Sequence, residues 1–336
     1  MDILQVAKRA GVSTATVSRV MNGFPRVSER TMARVRKAIE EMNYVPNSSA
    51  RSLRVGRTRL FGLIISDVNN PFFPELIDAF ESLAAAHGIG VIFTHTNYEL
   101  ERLDSCIRRM IERRVDAIAI MTSEIDERFL RQPMKLGVPI VLMNQRQLAA
   151  RYPNVLVEYA TGYREAMDHL LFLGHRDFGF IAGPPQLSSA QDRKAAFKTV
   201  SQAHGVHLGP ERIVAGDMHV EGGRSAMREL LARSPRPTAV LATNDLMAVG
   251  ALQAAHEAGI RVPEDISLIG FDDLPIASMV SPPLTTIRHP RRELAARAFA
   301  LLQNALQEGN ALPELILHPH LVIRESTASP ARRRRR

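Results

Sequence analysis

Tryptophan is absent from these 336 residues, and Cys106 is the single cysteine. One thiol forms no internal disulfide, so stability has to come from a packed core. Its setting, LDSCIRRMIE, reads as a helix carrying a reduced, structural side chain. Aromatic residues contribute only 5% of the chain, yet apolar residues reach 45%, which is ample for a core. No apolar stretch reaches the roughly 18 residues needed to span a bilayer. The chain opens directly on an amphipathic helix with no leader-like segment, so a cytoplasmic protein is expected. Catalytic signatures are missing as well: there is no GxSxG, no P-loop and no GxGxxG after a strand. HGVH (204–207) and HPH (318–320) bring histidines together without further ligands at zinc-site spacing. The expectation is a protein that is not an enzyme and carries neither metal nor cofactor.

What is present begins with a short helix. Ile3, Val6, Ala7 and Ala10 recur at helical spacing behind Asp2, whose carboxylate can cap the first turn. Gly11 stops that helix, because it takes positive φ without steric cost. Ser13 restarts the chain as an N-cap, and Val17, Val20 and Met21 give a second helix its apolar face. Thr14, Ala15, Thr16, Ser18, Arg19 and Asn22 face the other way. A third helix follows Ser28 with the stripe Met32, Val35, Ile39 and Met42. Two short helices around a glycine turn describe a helix-turn-helix, whose second helix enters the major groove. An ordinary three-helix bundle would show the same spacing, but the charge speaks against it. Residues 1–60 hold 12 basic and 4 acidic side chains, a net of +8, whereas the rest of the chain is net −5 before its five terminal arginines. Positive charge concentrated on one small module is a phosphate-binding footprint.

GVSTATVSRVMNG followed by VSERTMARVRKAIEEMNYVPNSSARSL closely resembles the N-terminal module of the lactose-repressor (LacI) family, and the resemblance runs to about Arg324. It implies a fold of an all-α helix-turn-helix module (1–46) and a hinge helix or linker (47–58). A two-lobed α/β core of parallel sheets, like the periplasmic binding proteins, would follow. The implied first lobe comprises 59–159 and 290–317, the second 160–289 and 318–326, with an Arg-rich tail at 327–336. Within the linker, Pro46 ends the third helix, and a helix as short as the next segment is unstable alone. The resemblance implies that it orders on DNA, with Ala50 on one face, Leu53 wedged between minor-groove base pairs and Arg54 at phosphate. Such a wedge costs a few kcal/mol of unstacking and bends the duplex.

From Leu60 onward, short apolar runs alternate with amphipathic segments, the pattern of parallel sheets covered by helices. Expected strands are 60–66, 90–95, 117–121, 139–143, 178–183, 213–217, 239–243 and 267–272. Ligands in such sheets sit beyond the carboxyl ends of the strands. There the chain offers Asn70, Phe72 and Phe73 in SDVNNPFF. The resemblance implies an aromatic platform, with Arg193 gripping ligand oxygens through its planar fork and Asn244 and Asp272 contributing at two further strand ends. Asn and Asp are equally good helix N-caps. Asn144, Met218 and His289 stand where the family often has aspartate, an aromatic and glutamine. Those departures weigh against copying any one sugar.

The resulting expectation is a homodimeric regulator that binds a pseudo-palindromic double-stranded operator, most simply a repressor of carbohydrate genes released by a sugar or sugar acid. A co-repressed or activating regulator answering a purine or sugar phosphate is the alternative, with a transport-type sugar-binding protein further off. Arg19 is the expected guanine contact, Thr14 and Ala15 the neighbouring specificity positions, and Ser13, Thr16, Ser18 and Asn22 the phosphate anchors. SPPLTTIRHP (281–290) reads as a crossover between lobes. The tail has no leucine heptads; its arginines raise non-specific nucleic-acid affinity.

Overall fold

The computed structural model describes residues 2–21, 24, 27–44, 57–148, 151–308 and 315–330. Asn22, Ala50, Leu53, Arg54 and the terminal arginines lie outside the described residues. The chain divides into two compact units, 1–58 and 59–336.

The first unit holds three helices, α1 (Ile3–Ala10), α2 (Thr14–Met21) and α3 (Glu29–Glu41). Asp2 and Gln5 cap α1 reciprocally, the Gln5 N–H donating to Asp2 Oδ1 at 2.9 Å and the Asp2 N–H to Gln5 Oε1 at 3.0 Å. Gly11 ends the helix at φ +62°. Its carbonyl, with that of Ala10, accepts from the Arg34 guanidinium on α3, which a Cβ at Gly11 would strike. Glycine is therefore required twice over here, for its dihedral and for its size. Val6, Ala7, Ala10, Val17, Val20, Val35 and Ala38 form the core of the module.

The second unit contains two six-stranded sheets. The first comprises β1 (Leu60–Ile65), β2 (Gly90–His95), β3 (Ala117–Met121), β4 (Ile140–Met143), β5 (Asn154–Val157) and, much later, β11 (Leu315–Leu317). The second comprises β6 (Phe178–Ala182), β7 (Ile213–Ala215), β8 (Ala239–Ala242), β9 (Ser267–Asp272), β10 (Thr285–Arg288) and β12 (His320–Val322). Their orders are β11-β5-β4-β3-β1-β2 and β12-β10-β9-β8-β6-β7, the same winding twice. All recorded pairings are parallel except β10 with β12. The strands are apolar along nearly their whole length, as burial on both faces demands: β3, β4 and β8 read AIAIM, IVLM and AVLA.

Helices cover both sheets: α4 (Phe72–Ala86), α5 (Leu100–Glu112), α6 (Glu127–Lys135), α7 (Tyr159–Phe172), α8 (Ser188–Ala203), α9 (Val220–Leu231), α10 (Asp245–Glu257), α11 (Pro275–Met279) and α12 (Arg291–Glu308). Helix α12 packs on α4 and the first sheet, with Leu294, Ala298 and Phe299 in the same core as Phe61 and Phe80. The chain thus passes between sheets three times: between β5 and α7, between β10 and α12, and between β11 and β12. Strands β5, β10, β11 and β12, three or four residues each, are not among those expected from the sequence. Thr285–Arg288, read as crossover, is a strand, and the crossing is compressed into His289 and Pro290. Cys106 is buried on α5, its Sγ 3.5 Å from the His95 carbonyl, a structural thiol.

Candidate functional site

The carboxyl ends of the two sheets face one another across a cleft with about 510 Å³ of empty space. Asn70, Phe72, Phe73, Asn144, Arg193, Met218 and Asp272 all line it. Asn244 and His289 do not.

On the first wall, Asn70 follows β1 and accepts the Phe72 N–H at 3.0 Å, opening α4 where the two phenylalanines begin it. Their rings meet edge to face at 5.1 Å, an arrangement aromatic quadrupoles favour. Tyr98, from the turn after β2, also reaches Asn70; burial pushes its hydroxyl well above the usual tyrosine range. Asn144 sits at φ +60° and donates to the Tyr159 hydroxyl at 2.7 Å, while its Oδ1 accepts the Val157 N–H. Asn144 therefore spans the first crossing between sheets.

On the second wall, Arg193 is 6% exposed. Its Nη1 donates to the Thr243 carbonyl at 2.6 Å and its Nη2 to Asp272 Oδ1 at 2.9 Å, and its guanidinium lies 4.4 Å from the Phe271 ring centre and 5.1 Å from that of Tyr159. Its Nε has no partner. Burial disfavours the charge on Arg193, but the Asp272 carboxylate beside it outweighs that and holds the cation. Burial pushes the Asp272 carboxyl upward, with Arg193 and Arg291 pulling back. Met218 adopts φ +73° and lies against the cleft.

Asn244 caps α10 instead, accepting the Met247 N–H at 2.9 Å and donating to the Met218 carbonyl at 2.8 Å. Both ends of its amide are spent on the fold. His289 stands behind Phe72, ring centres 4.8 Å apart, with both ring nitrogens unpartnered. Burial, then Arg193 and Arg291, hold its pKa well below the ordinary histidine value. Sequence reading missed Tyr98, Tyr159, Ser123 and Ser189. Tyr159 follows the short β5, so no strand end pointed to it. The Ser123 and Ser189 hydroxyls, one from each wall, lie 2.6 Å apart across the cleft, and Ser188 donates to the Ser123 carbonyl at 2.7 Å.

Asp245 lies beneath Asp272, wholly buried, and accepts from the Thr286 hydroxyl at 2.5 Å and the Leu274 N–H at 2.7 Å. Burial pushes its carboxyl well above the usual range, and Asp272 adds to the push against those two hydrogen bonds. With its carboxyl pushed up, the folded state holds this proton above the pH near 4 (about 3.9) at which the unfolded chain releases it, so the contribution of Asp245 to stability falls as pH rises above about 4. Asp245→Asn keeps an acceptor for Leu274 while removing the titration. From about pH 4 to 7, the melting temperature of the native chain is expected to fall relative to that of the variant as pH rises. Equal slopes would place the proton elsewhere.

In the helix-turn-helix, the Ser13 hydroxyl caps α2, accepting the Thr16 N–H at 3.2 Å, and lies 2.9 Å from the Thr16 hydroxyl. Ala15 and Arg19 are exposed on the face of α2 opposite buried Val17 and Val20, with Thr14, Thr16 and Ser18 half-buried beside them. Among the described residues, no group of three or more His, Cys, Asp or Glu is placed to hold a metal ion, and no helix is long and apolar enough to cross a membrane.

Residues 2–47 match the family described as bacterial regulatory proteins, lacI family, and residues 167–327 the periplasmic binding protein-like domain. The HTH-type transcriptional repressor PurR of Pectobacterium carotovorum subsp. carotovorum is 36% identical over 329 residues, covering 97% of this chain and 96% of the relative. Among solved structures, the Lac repressor dimer bound to operator and the anti-inducer ONPF superposes with a TM-score of 0.87 at 28% identity, covering 98% of this chain and 99% of that one. A LacI family transcriptional regulator from Enterococcus faecium with bound ribose gives a TM-score of 0.72 at 27% identity, covering 81% of this chain and 100% of that one.

Proposed function

The chain belongs to the LacI family of ligand-responsive, DNA-binding transcriptional repressors, and from that premise we propose that its effector is a purine-type heterocycle bound in the interlobe cleft. The observation that carries this is how many of the cleft's polar side chains are already hydrogen-bonded within the protein. Asn144 is committed to Tyr159, Gln145 to the Thr122 carbonyl, Asn70 to the Phe72 N–H and Arg193 Nη1 to the Thr243 carbonyl. Around them stand Phe72, Phe73, Tyr98, Met121, Met143 and Met218. Aromatic and methionine side chains interleaved with polar ones suit a flat ring with polar edges. A sugar needs partners for every hydroxyll it buries. The name PurR carried by the relatives agrees with a purine. The sugar expected first from the sequence becomes the second reading, favoured by the ribose bound in the Enterococcus faecium regulator.

In this proposal Asp272 and the free edge of Arg193 read the ring's polar edge while Phe73 and Met218 take its faces. The operator is read by Arg19 with Thr14 and Ala15, and Ser13, Thr16, Ser18 and Asn22 meet phosphate. Ala50, Leu53 and Arg54 act in the minor groove. The working unit is a homodimer of a module (1–46), a hinge (47–58) and two lobes (59–159 with 290–317, 160–289 with 318–326).

Thermal shift against adenine, guanine, hypoxanthine, ribose, glucose and gluconate tests the effector class. A purine at 100 times its Kd is expected to stabilise the protein by about 2.7 kcal/mol. The same purine should change operator affinity by about 5–150-fold, read by fluorescence anisotropy, and the direction of that change distinguishes co-repression from induction. Stabilisation by a sugar and by none of the bases would overturn the purine assignment.

A further inference from the structure

Asp272 owes its place in the cleft to a strained turn. Asp272 and Asp273 lie at φ +110° and +55°, a region side-chain-bearing residues seldom adopt unless their surroundings over-determine it. The turn is held on three sides. The Leu274 N–H is taken by Asp245, and the Asp273 carboxylate by Arg288 and Arg324, each at 2.6 Å. Its two carbonyls, those of Asp272 and Asp273, accept from the Arg291 guanidinium, the second at 3.0 Å.

Arg291 does not belong to that wall. It is the first residue of α12, the helix packed on the first sheet, and it is 5% exposed. The rest of its guanidinium meets Glu75 Oε2, Nε at 2.8 Å and Nη2 at 2.6 Å. Glu75 sits on the first turn of α4, the turn that presents Phe72 and Phe73 to the cleft. The guanidinium carbon lies 5.6 Å from the Phe72 ring centre. One planar fork thus touches the turn bearing the ligand carboxylate and the helix bearing the aromatic platform, and all three of its nitrogens are engaged.

We propose that Arg291, anchored by Glu75, is a positioning residue that sets the separation of the two cleft walls, and with it the size and affinity of the ligand. Arginine suits the task because its guanidinium offers several donors in a fixed plane, so one side chain satisfies two carbonyls and a carboxylate at once. A lysine ammonium offers no such fork. The part concerning ligand rests on the cleft being the effector site; the part concerning wall separation does not.

Arg291→Ala would take a donor from both carbonyls of a strained turn and leave that of Asp272 only the His289 N–H at 3.3 Å, so Glu75, whose side chain is 30% exposed, is the informative position. In a Cys106→Ser background, spin labels at Lys135 on α6 and Lys198 on α8 report the distance between lobes by pulsed electron resonance without ligand. The parent protein is expected to give one narrow distribution and Glu75→Ala a broader, longer one. Asp78→Asn, which removes only an exposed carboxylate 4.0 Å from Arg292, should match the parent. An unchanged distribution in Glu75→Ala would overturn the proposal, whatever the ligand. Calorimetry with adenine and guanine is the second arm. Glu75→Ala should weaken the base by about tenfold or more, and Glu75→Gln, which keeps an oxygen acceptor, should recover much of the loss. Equal affinity in parent and Glu75→Ala would refute the positioning role. Failure of the parent to bind any base would remove the purine reading, and the spin-label distances would still decide whether the strap exists.

Discussion

Arg193→Ala is expected to unfold roughly 10 °C below the native chain and to bind no effector. The substitution removes the guanidinium paired with the Asp272 carboxylate, a side chain only 3% exposed, and leaves the Thr243 carbonyl short of a donor. Removing one member of a buried pair typically costs about 3–5 kcal/mol, because the surviving charge keeps its desolvation penalty and loses its compensation. The planar contacts with Phe271 and Tyr159 go as well. Scanning calorimetry at neutral pH measures the loss. Adding Asp272→Asn should return part of the stability without returning ligand binding, since the orphaned charge is then gone but the recognising pair is not restored. A variant that melts with the native chain, or that still binds the base, would show that the pair is neither a structural nor a recognition element.

Arg19→Ala should erase sequence discrimination while leaving most non-specific DNA affinity in place. A bidentate arginine–guanine contact contributes about 1–3 kcal/mol of discrimination against the wrong base. The salt-dependent part comes from the many phosphate contacts and is little affected by one loss. Arg19 is exposed on α2, whose opposite face is pinned by Val17 and Val20, so removing it leaves the module's core intact. Anisotropy titrations against an operator selected from randomised duplexes, and against a scrambled duplex, give the specificity ratio at several salt concentrations. If that ratio survives, recognition lies with another residue of the helix.

Much of the architecture was legible because its signals are local. The glycine turn and caps of the DNA module depend on residues within a few positions of one another. The longer core strands announce themselves as apolar runs, since a strand buried on both faces tolerates few polar residues. Strands β5, β10, β11 and β12 were not legible although β4, β7 and β8 are equally short: what makes them strands is the neighbouring edge each one pairs with. Missing β5 concealed Tyr159, and reading Thr285–Arg288 as crossover concealed how tightly His289 is built into the crossing between sheets.

By itself, then, the sequence determined the two-part plan, the repressor module and most of the strand ends that meet at the cleft. Which of those strand-end residues face the cleft was decided by tertiary structure alone. Asn244 and Asp272 are both short polar side chains at strand ends, equally able to serve a backbone N–H or a ligand. Asn244 is used up by α10 and the Met218 carbonyl, whereas the turn after β9 rotates Asp272 toward Arg193. The partners that hold that turn include Arg291, and Arg291 is tied to Glu75, 216 residues away in the chain. A contact of that range leaves no local pattern; it comes into being only when the returning helix α12 packs beside α4.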